Sequence, residues 1–589
     1  MIFSLTKDSK IKVEWKEKDA LSISSFFATN LPLVQIDNNE AKISYADFRH
    51  NFKNFRALDK ILHDKASFSE QLKDLLNSTP KYSDEIKKKL EISDVEIQEK
   101  IETKGFIRKL LPHQLKNVKL MISLSASANF SVPGAGKTTD ALATYAFKRN
   151  TNQDKVLIIC PKSAFTAWEE EILECFNNES YIYFTDIKSV KLGIDANANF
   201  RIINYEKYRT DLLIQKLINE EVLDPRKNYT VIVDESHKLS GESTNQAVSQ
   251  LSIVKNKIIL SGTPLPHSIE KNLVNQFNFL YPDEEANNLL EKFQPIFRRT
   301  SKNDLKLPKP NIEKIPLQMS GAQLELNRRM IKRINNFDLD FEHREKINEF
   351  KQIIMRYLQF CSNPHLQYEY IKELSPKLGE QIMNDGHGVK FDTVVQRAKE
   401  IALSGKKVII WSTFPRNLET LKLKLAPFSP AVVHGRIPIG SSSKERGTRR
   451  YAIYQFKNNP ECRIFLANPA TAGEGISLHK ICEHALYLDR SYNGAHFFQS
   501  KDRIHRIGIS EEARIKIEIF LYENSIDKLI DENLDGKERR MLKFLEDSSI
   551  VKNDVSLDLN FEELDEKDEN LHINDSEIEN IKSSMQNLE

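Results

Sequence analysis

Short apolar runs alternate with longer amphipathic ones from residue 105 to about 300. "KVLIIC", "RIINY", "TVIVDE" and "KIILSG" are continuous and rich in β-branched residues, the pattern of strands covered on both faces. Stretches of helical period separate them, so the pattern predicts a parallel α/β domain over 105–300. Residues 301–385 change character. "AQLELNRRMIKRINNF" and "REKINEFKQIIMRYLQF" are charged and helical, which predicts a helical insertion. The alternation returns over 386–535 with "KKVIIWS", "CRIFLAN", "HALYLDR" and "RIKIEIFLY", a second α/β lobe, and 536–550 continues as a helix. Residues 1–104 read as a separate small α+β region. In it "LPLVQIDNNEAKISYADF" predicts a hairpin around "DNN", while "SFSEQLKDLLNS" and "SDVEIQEKIETKGF" read as helices.

Composition narrows the class. A chain of 589 residues, 40% hydrophobic and 29% charged, exceeds what one core usually serves. No apolar run approaches the ~18 residues of a membrane span. The N-terminal "MIFSLTKDSKIKVEW" soon runs into charges, so the expectation is no signal peptide, no membrane partner and a cytoplasmic location. The five cysteines (Cys160, Cys175, Cys361, Cys462 and Cys482) form no C-x-x-C pair and read as reduced thiols rather than a disulfide framework or zinc site.

Charge changes the picture more. Residues 552–589 hold twelve acidic and three basic side chains, a net of −9, which leaves about +11 on 1–551. A basic body suits a partner made of phosphates. The segment 551–589 is too polar and acidic to bury a core, and is expected to be a disordered tail. Its "FEELDE" stretch and the 1–104 region are the candidate contacts for protein partners.

The candidate chemistry begins at "SVPGAGKTT", residues 131–139. Gly134 and Gly136 would let the backbone approach a phosphate chain, with Ala135 between them. Lys137 would reach the β- and γ-phosphates, and Thr138, followed by Thr139, would offer a hydroxyl to Mg²⁺. The helix that follows would point its N-terminus at the anion. The usual pattern has Gly where this chain has Ser131. Downstream, "YTVIVDESHKLS" delivers Asp234 and Glu235 to the end of a strand, where one carboxylate can hold Mg²⁺ and the next can orient the attacking water. In "FFQSKDRIHRIGIS", Gln499, Arg503 and Arg506 are spaced at 4 and 3, which predicts one helical face. Guanidinium groups there would suit a phosphoryl group gaining charge.

Several ordered segments resemble the Swi/Snf-like branch of helicase superfamily 2. D-E-S-H at 234–237 resembles its D-E-x-H box, and "LSGTPLPHSIEKNLVNQFNFLYP" its next motif. "VLIICPKSAFTAWEEEI" resembles its strand followed by Pro161, Trp168 and Glu171. "INYEKYR", "FRRTSKNDLKLPKP", "LLPHQ", "LANPATAGEGISL" and the Gln499–Arg506 segment complete a resemblance that spans roughly 105–535. The chain departs from the family at Pro133, Ser477 and Ile509. Ser131 does not count against it, since the family's own loop lacks Gly at that position.

The resemblance implies two RecA-like parallel-sheet lobes with a helical insertion, ATP held between them, and ATP hydrolysis with Mg²⁺. It implies that Gln114 reads adenine, that Asp234 and Thr138 hold the metal, and that Glu235 orients water. Gly473 and Gly475 join the nucleotide site, and Arg503 and Arg506 reach it from the second lobe. It implies sequence-independent backbone contacts with nucleic acid at Lys162, Ser163, Asn204, Ser412, Thr413 and Thr471. The implied activity is translocation on double-stranded DNA. The alternatives are a strand-separating DNA or RNA helicase, or an ATP-gated scaffold that recruits a nuclease or methyltransferase. The Lys-, Asn- and Ile-rich chain resembles prokaryotic members, some of which serve DNA repair, transcription recycling or defence against phage.

Overall fold

Three sheets organise the described residues of this computed structural model, which are 1–6, 10–31, 34, 36–37, 39–62, 66–77, 81–87, 91–151, 153–265, 269–340, 343–440, 442–472, 476, 478–506, 509–510, 512–546 and 575–586. The first sheet comprises β1 (Ile2–Leu5), β2 (Lys10–Glu14), β3 (Ile36–Asp37), β4 (Glu40–Ser44) and β5 (Ser67–Phe68), in the order β3-β4-β2-β1-β5. Its alternation buries Ile11, Val13, Ala41 and Ile43 on one face, against Phe27, Phe48 and Phe55. The hairpin read from "DNN" is β3–β4, antiparallel, with Asn39 at a φ of +65° in its turn.

The second sheet is wholly parallel. It comprises β6 (Ala126–Asn129), β7 (Lys155–Cys160), β8 (Tyr181–Tyr183), β9 (Phe200–Asn204), β10 (Tyr229–Asp234), β11 (Asn256–Leu260) and β12 (Phe297–Arg298), in the order β12-β6-β11-β10-β7-β9-β8. Strands β7 and β10 are continuous apolar runs because, as central strands, they are buried on both faces. β10 pairs with β7 on one side and β11 on the other, so its carboxyl end lies in mid-sheet. This sheet and the first belong to one unit, residues 1–130, 136–261 and 273–299. Within it, Arg49 pairs with Asp283 at 2.9 Å. Glu85 accepts hydrogen bonds from Ser125 N and Tyr281 OH, each at 2.9 Å.

The other unit takes in residues 131–135, 262–272 and 300–589. Its sheet, again parallel, comprises β13 (Asn311–Leu317), β14 (Val408–Trp411), β15 (Ala431–Val433), β16 (Ile464–Ala467), β17 (His484–Tyr487) and β18 (Lys516–Tyr522), in the order β13-β18-β17-β14-β16-β15. A buried ion pair braces it: Lys390 Nζ donates to Asp527 Oδ2 at 2.6 Å, and Asp527 also accepts from Tyr522 N.

Two elements differ from the sequence reading. The stretch expected to be wholly helical, 301–385, opens with an edge strand. β13 runs parallel to β18 over its whole length, and its charged, largely exposed side chains hide the strand pattern. The expected disordered tail contains a helix, Asp575–Gln586. Ile578, Ile581 and Met585 are buried, a helical spacing that lays one apolar stripe against the helix Gly321–Asn335. Lys582 Nζ and Asn335 Nδ2 tie the two helices through the carbonyls of Phe337 and Met585. The rest of the tail lies outside the described residues. Ile581→Ala should weaken this docking by about 2–5 kcal/mol. The measure is faster hydrogen exchange in 575–586 and in Gly321–Asn335, with exchange in β6–β11 unchanged.

Candidate nucleotide and nucleic-acid site

The phosphate-loop candidate lies between β6 and the helix Lys137–Lys148. Gly134 and Gly136 sit at φ of +87° and +81°, the left-handed region that a Cβ makes costly. Gly136 is also the N-cap of the helix. A Cβ on it would stand 2.4 Å from Gln114 Nε2, so the buried Gln114 amide is packed directly on the loop. Gln114 Oε1 accepts from Leu111 N at 3.0 Å, which closes the first turn of its own helix, Pro112–Ser123. Gly134 belongs to the second unit, where a Cβ on it would stand 2.3 Å from Arg506 Cγ.

At the carboxyl end of β10, Asp234 and Glu235 are adjacent. Glu235 takes a left-handed conformation, φ +52°, and its N–H donates to Asp234 Oδ1 at 2.9 Å. Trp168 Nε1 donates to Asp234 Oδ2 at 2.9 Å. Burial pushes the Asp234 carboxyl well up, and the Glu235 charge adds to the push, against Trp168 and Lys137. Burial also presses Glu235 upward. His237, with Nδ1 3.3 Å from Glu235 Oε2, together with Lys137 and Lys238, outweighs it and holds Glu235 below the usual carboxylate range. The Lys137 charge thus acts on both carboxylates.

The structure shows further members of this cluster. Glu171 accepts from Arg108 and from Thr139 Oγ1, and Arg108 also reaches Glu174 at 3.2 Å. Trp168 and Glu171 were visible only as marks of the family resemblance, and Arg108 carries no motif. Asp140 is fully buried between Asn117 and Asn129, whose amides each donate to Oδ2 at 2.8 Å. Burial pushes its carboxyl up to about 8 against those two bonds. Its position three residues after Lys137 was the available signal.

In the second unit the helix Gly494–Lys501 ends before Arg503. Gln499, Arg503 and Arg506 therefore do not share one helical face, in contrast to the spacing argument. The chain turns at 502–504, and Arg503 is fastened by its guanidinium to the carbonyls of Gln499 and Ile476, at 3.1 and 2.8 Å. Gln499 is buried, and among the described residues its Nε2 has no hydrogen-bond partner. Gly473, Gly475 and Ser477 lie outside the described residues.

The nucleic-acid candidates lie at strand ends. Lys162 and Ser163 follow β7, and Asn204 closes the neighbouring β9, capping the next helix through Lys207 N at 2.7 Å. Lys162 is exposed. Ser412 and Thr413 follow β14, and Thr471 follows the neighbouring β16. Ser412 is fully buried and its hydroxyl donates to Asp489 at 2.6 Å. It shapes the turn rather than offering a side chain to a ligand. Among the described residues no group of three or more His, Cys, Asp and Glu side chains could hold a metal ion, and no helix is long and apolar enough to cross a membrane.

A glycine-rich loop opening a helix, paired acidic residues at the end of a central parallel strand, and a second parallel α/β lobe define a P-loop protein of two-lobed build. Residues 113–293 match the family model described as the SNF2-related domain. The chain is 25% identical over 480 residues to the ISWI chromatin-remodeling complex ATPase ISW2 of Saccharomyces cerevisiae, covering 74% of this chain and 41% of that one. It is 23% identical over 466 residues to the Chromodomain-helicase-DNA-binding protein 1-like of Mus musculus, covering 72% and 49%. It thus spans less than half the length of either relative. Among solved structures it matches the Sulfolobus solfataricus SWI2/SNF2 ATPase core in complex with dsDNA, with 19% identity, a TM-score of 0.33, and coverage of 76% of this chain and 96% of that one. The family and sequence matches support the Swi/Snf branch of helicase superfamily 2.

Gly136→Ala should destabilise the first lobe by more than the about 1–2 kcal/mol of left-handed strain alone, because Gln114 must also move. Gly405 supplies the control, with φ +84° and open space around it. Thermal unfolding of the two alanine variants should show the larger loss at 136. Equal losses would mean that Gln114 is not packed on the loop as described.

Proposed function

We propose that the chain is an ATP-dependent double-stranded DNA translocase of the Swi/Snf-like type, a DNA-stimulated ATPase. The observation that carries this reading is the half-buried Asp234–Glu235 pair at the end of β10, under the charge of Lys137. The residues present fit ATP and Mg²⁺. Gly134 and Gly136 hold the loop backbone in the left-handed region with no side chain of their own, Arg506 and Gln114 packing beside them, and the Asp234 carboxylate at the end of β10 is an oxygen donor of the kind Mg²⁺ takes. Gly134, Ala135, Gly136, Lys137, Thr138 and Thr139 would hold the phosphates, Gln114 the adenine, and Thr138 and Asp234 the Mg²⁺. When bound, Mg²⁺ neutralises charge on the β- and γ-phosphates.

In this scheme Glu235, kept as a carboxylate by His237, orients the attacking water. Arg503 and Arg506 stabilise charge developing on the phosphoryl group, a role worth roughly 10³–10⁵ in rate for arginines of this kind. Gln499, Gly473 and Gly475 complete the second lobe's contribution. Lys162, Ser163, Asn204, Thr413 and Thr471 contact the DNA backbone, with Ser412 holding the turn. Such contacts are independent of sequence and weaken with salt. The working domains are 1–104, 105–300, 301–385, 386–535, 536–550 and 551–589. The proposed setting is the cytoplasm of a prokaryote, in DNA processing or defence against phage. An adjacent nuclease or methyltransferase gene would support the defence role, and its absence would count against it.

ATP turnover should rise at least tenfold with duplex DNA and less with single-stranded DNA or RNA. Glu235→Gln should lower turnover by about 10² or more, since water orientation is lost. Equal rates with and without nucleic acid would overturn the translocase reading. Displacement of a triplex strand without separation of the duplex would distinguish translocation from unwinding.

A further inference from the structure

A cavity of about 500 Å³ opens where the strands of the second sheet begin. Tyr229, the first residue of β10, is in its wall. Asp234, at the other end of that strand, is therefore roughly 15–20 Å away. Leu223 and Pro225 ahead of β10, Val254 ahead of β11 and Tyr82 of the N-terminal region supply apolar and aromatic wall. The volume falls in the range of small-ligand sites, roughly 300–1,000 Å³.

The charges around this cavity do not balance. Its carboxylates are already engaged: Asp224 with Arg226 at 2.8 Å, Asp283 with Arg49 at 2.9 Å, and Glu284 with Lys292 at 2.7 Å. Lys227 is paired with Glu221. Lys81, Lys255 and Lys257 also line the cavity, and among the described residues none of them has a carboxylate at ion-pair distance. Lys81 and Lys255 are exposed, whereas Lys257 is 4% exposed and donates to the carbonyl of Ser252. A strand-starting lysine could extend to solvent. Here it is folded into the wall instead.

We propose that this cavity is a second ligand site, separate from the glycine-rich loop, for a small phosphate-bearing molecule of mononucleotide size. Three lysines without carboxylate partners suit a multiply charged anion, since each ammonium is a compact point charge. The apolar and tyrosine wall suits a planar body attached to it. Burial holds the Lys257 ammonium down to about 7, with Asp283 and Glu85 acting upward and Arg49 downward. A bound anion would supply the charge compensation that Lys257 lacks.

The test is equilibrium dialysis of AMP and of inorganic pyrophosphate against the full chain carrying Lys137→Ala, which silences the glycine-rich loop. One saturable site per chain is expected for AMP, weakened about tenfold or more by Lys255→Glu or by Lys257→Met. Val254→Trp, which fills the apolar side, should weaken AMP more than pyrophosphate. Equal affinity for both probes would support the phosphate chemistry and overturn the mononucleotide size. Lys257→Met alters a buried position. If it fails to fold, Lys255→Glu at the exposed mouth decides the matter. No saturable binding of either probe up to about 5 mM, or binding unchanged by Lys255→Glu, would overturn the proposal. Loss of DNA-stimulated turnover in the native chain would leave this result untouched, so the two readings fail separately.

Discussion

Two neighbouring carboxylates, half-buried at the end of one strand, are the constraint around which the first lobe is arranged. Each is costly to ionise without water, and each makes the other costlier. The surroundings answer both carboxylates in different ways. Asp234 takes donors with no net charge, the Trp168 indole and the Glu235 N–H. Glu235 takes the His237 ring, with Nδ1 at 3.3 Å, and the charge of Lys238, while the Lys137 charge acts on both. That division requires the chain to turn at once after β10, which it does through the left-handed conformation of Glu235, a strain of the kind that persists where surrounding contacts over-determine it. It also requires Trp168 to arrive from the helix after β7, which the β7–β10 pairing arranges.

The second lobe poses a related problem and solves it by hydrogen bonding. Asp489 follows β17 and is buried. It accepts from Ser362, Ser412 and the Thr413 N–H, at 2.5, 2.6 and 2.6 Å. One carboxylate thereby fixes the turn after β14 and the end of the helix Arg344–Ser362 together. The consequence for nucleic-acid contact is indirect. The Ser412 hydroxyl is committed inside the lobe, and Thr413 is left half-buried at the turn. A backbone contact there would depend on Asp489 although Asp489 itself would touch nothing.

Much of this was legible in the chain because burial on both faces leaves a strong mark. "KVLIIC" and "TVIVDE" became β7 and β10, and the apolar runs of the second lobe became β14, β16, β17 and β18. β6 was not legible, because "ASAN" holds no β-former. Its position between β11 and β12, with every residue buried, is what makes it a strand. β13 was hidden by charge on an edge. The stripe Ile578, Ile581, Met585 was hidden by the acidic residues around it. At the site, the glycine-rich loop and the Asp-Glu pair could be read from residue type and spacing. The support around them could not. Trp168 lies 66 residues from Asp234 in sequence, and Arg108 lies 63 from Glu171, and only the fold brings such pairs together. The Gln499–Arg506 spacing misled because a period of 4 and 3 fits a helix only while the helix continues.

Ser131 shows the same limit from the other side. As a departure from the common pattern it looks like a lost glycine, and a lost glycine matters where φ must be positive. Gly134 and Gly136 have that requirement, and Ser131 is not among the positive-φ residues. What the position uses is an acceptor. Ser131 is fully buried, and its Oγ accepts the Thr300 N–H at 2.9 Å, beside Val132 N donating to the Thr300 carbonyl at 3.1 Å. The loop entrance is thereby joined to the segment continuing from β12. Glycine would restore the common pattern and leave a buried N–H without its partner, a loss of about 1–3 kcal/mol in such settings. The serine is therefore part of what anchors the loop, and the freedom that phosphate approach needs is confined to the two glycines that follow it.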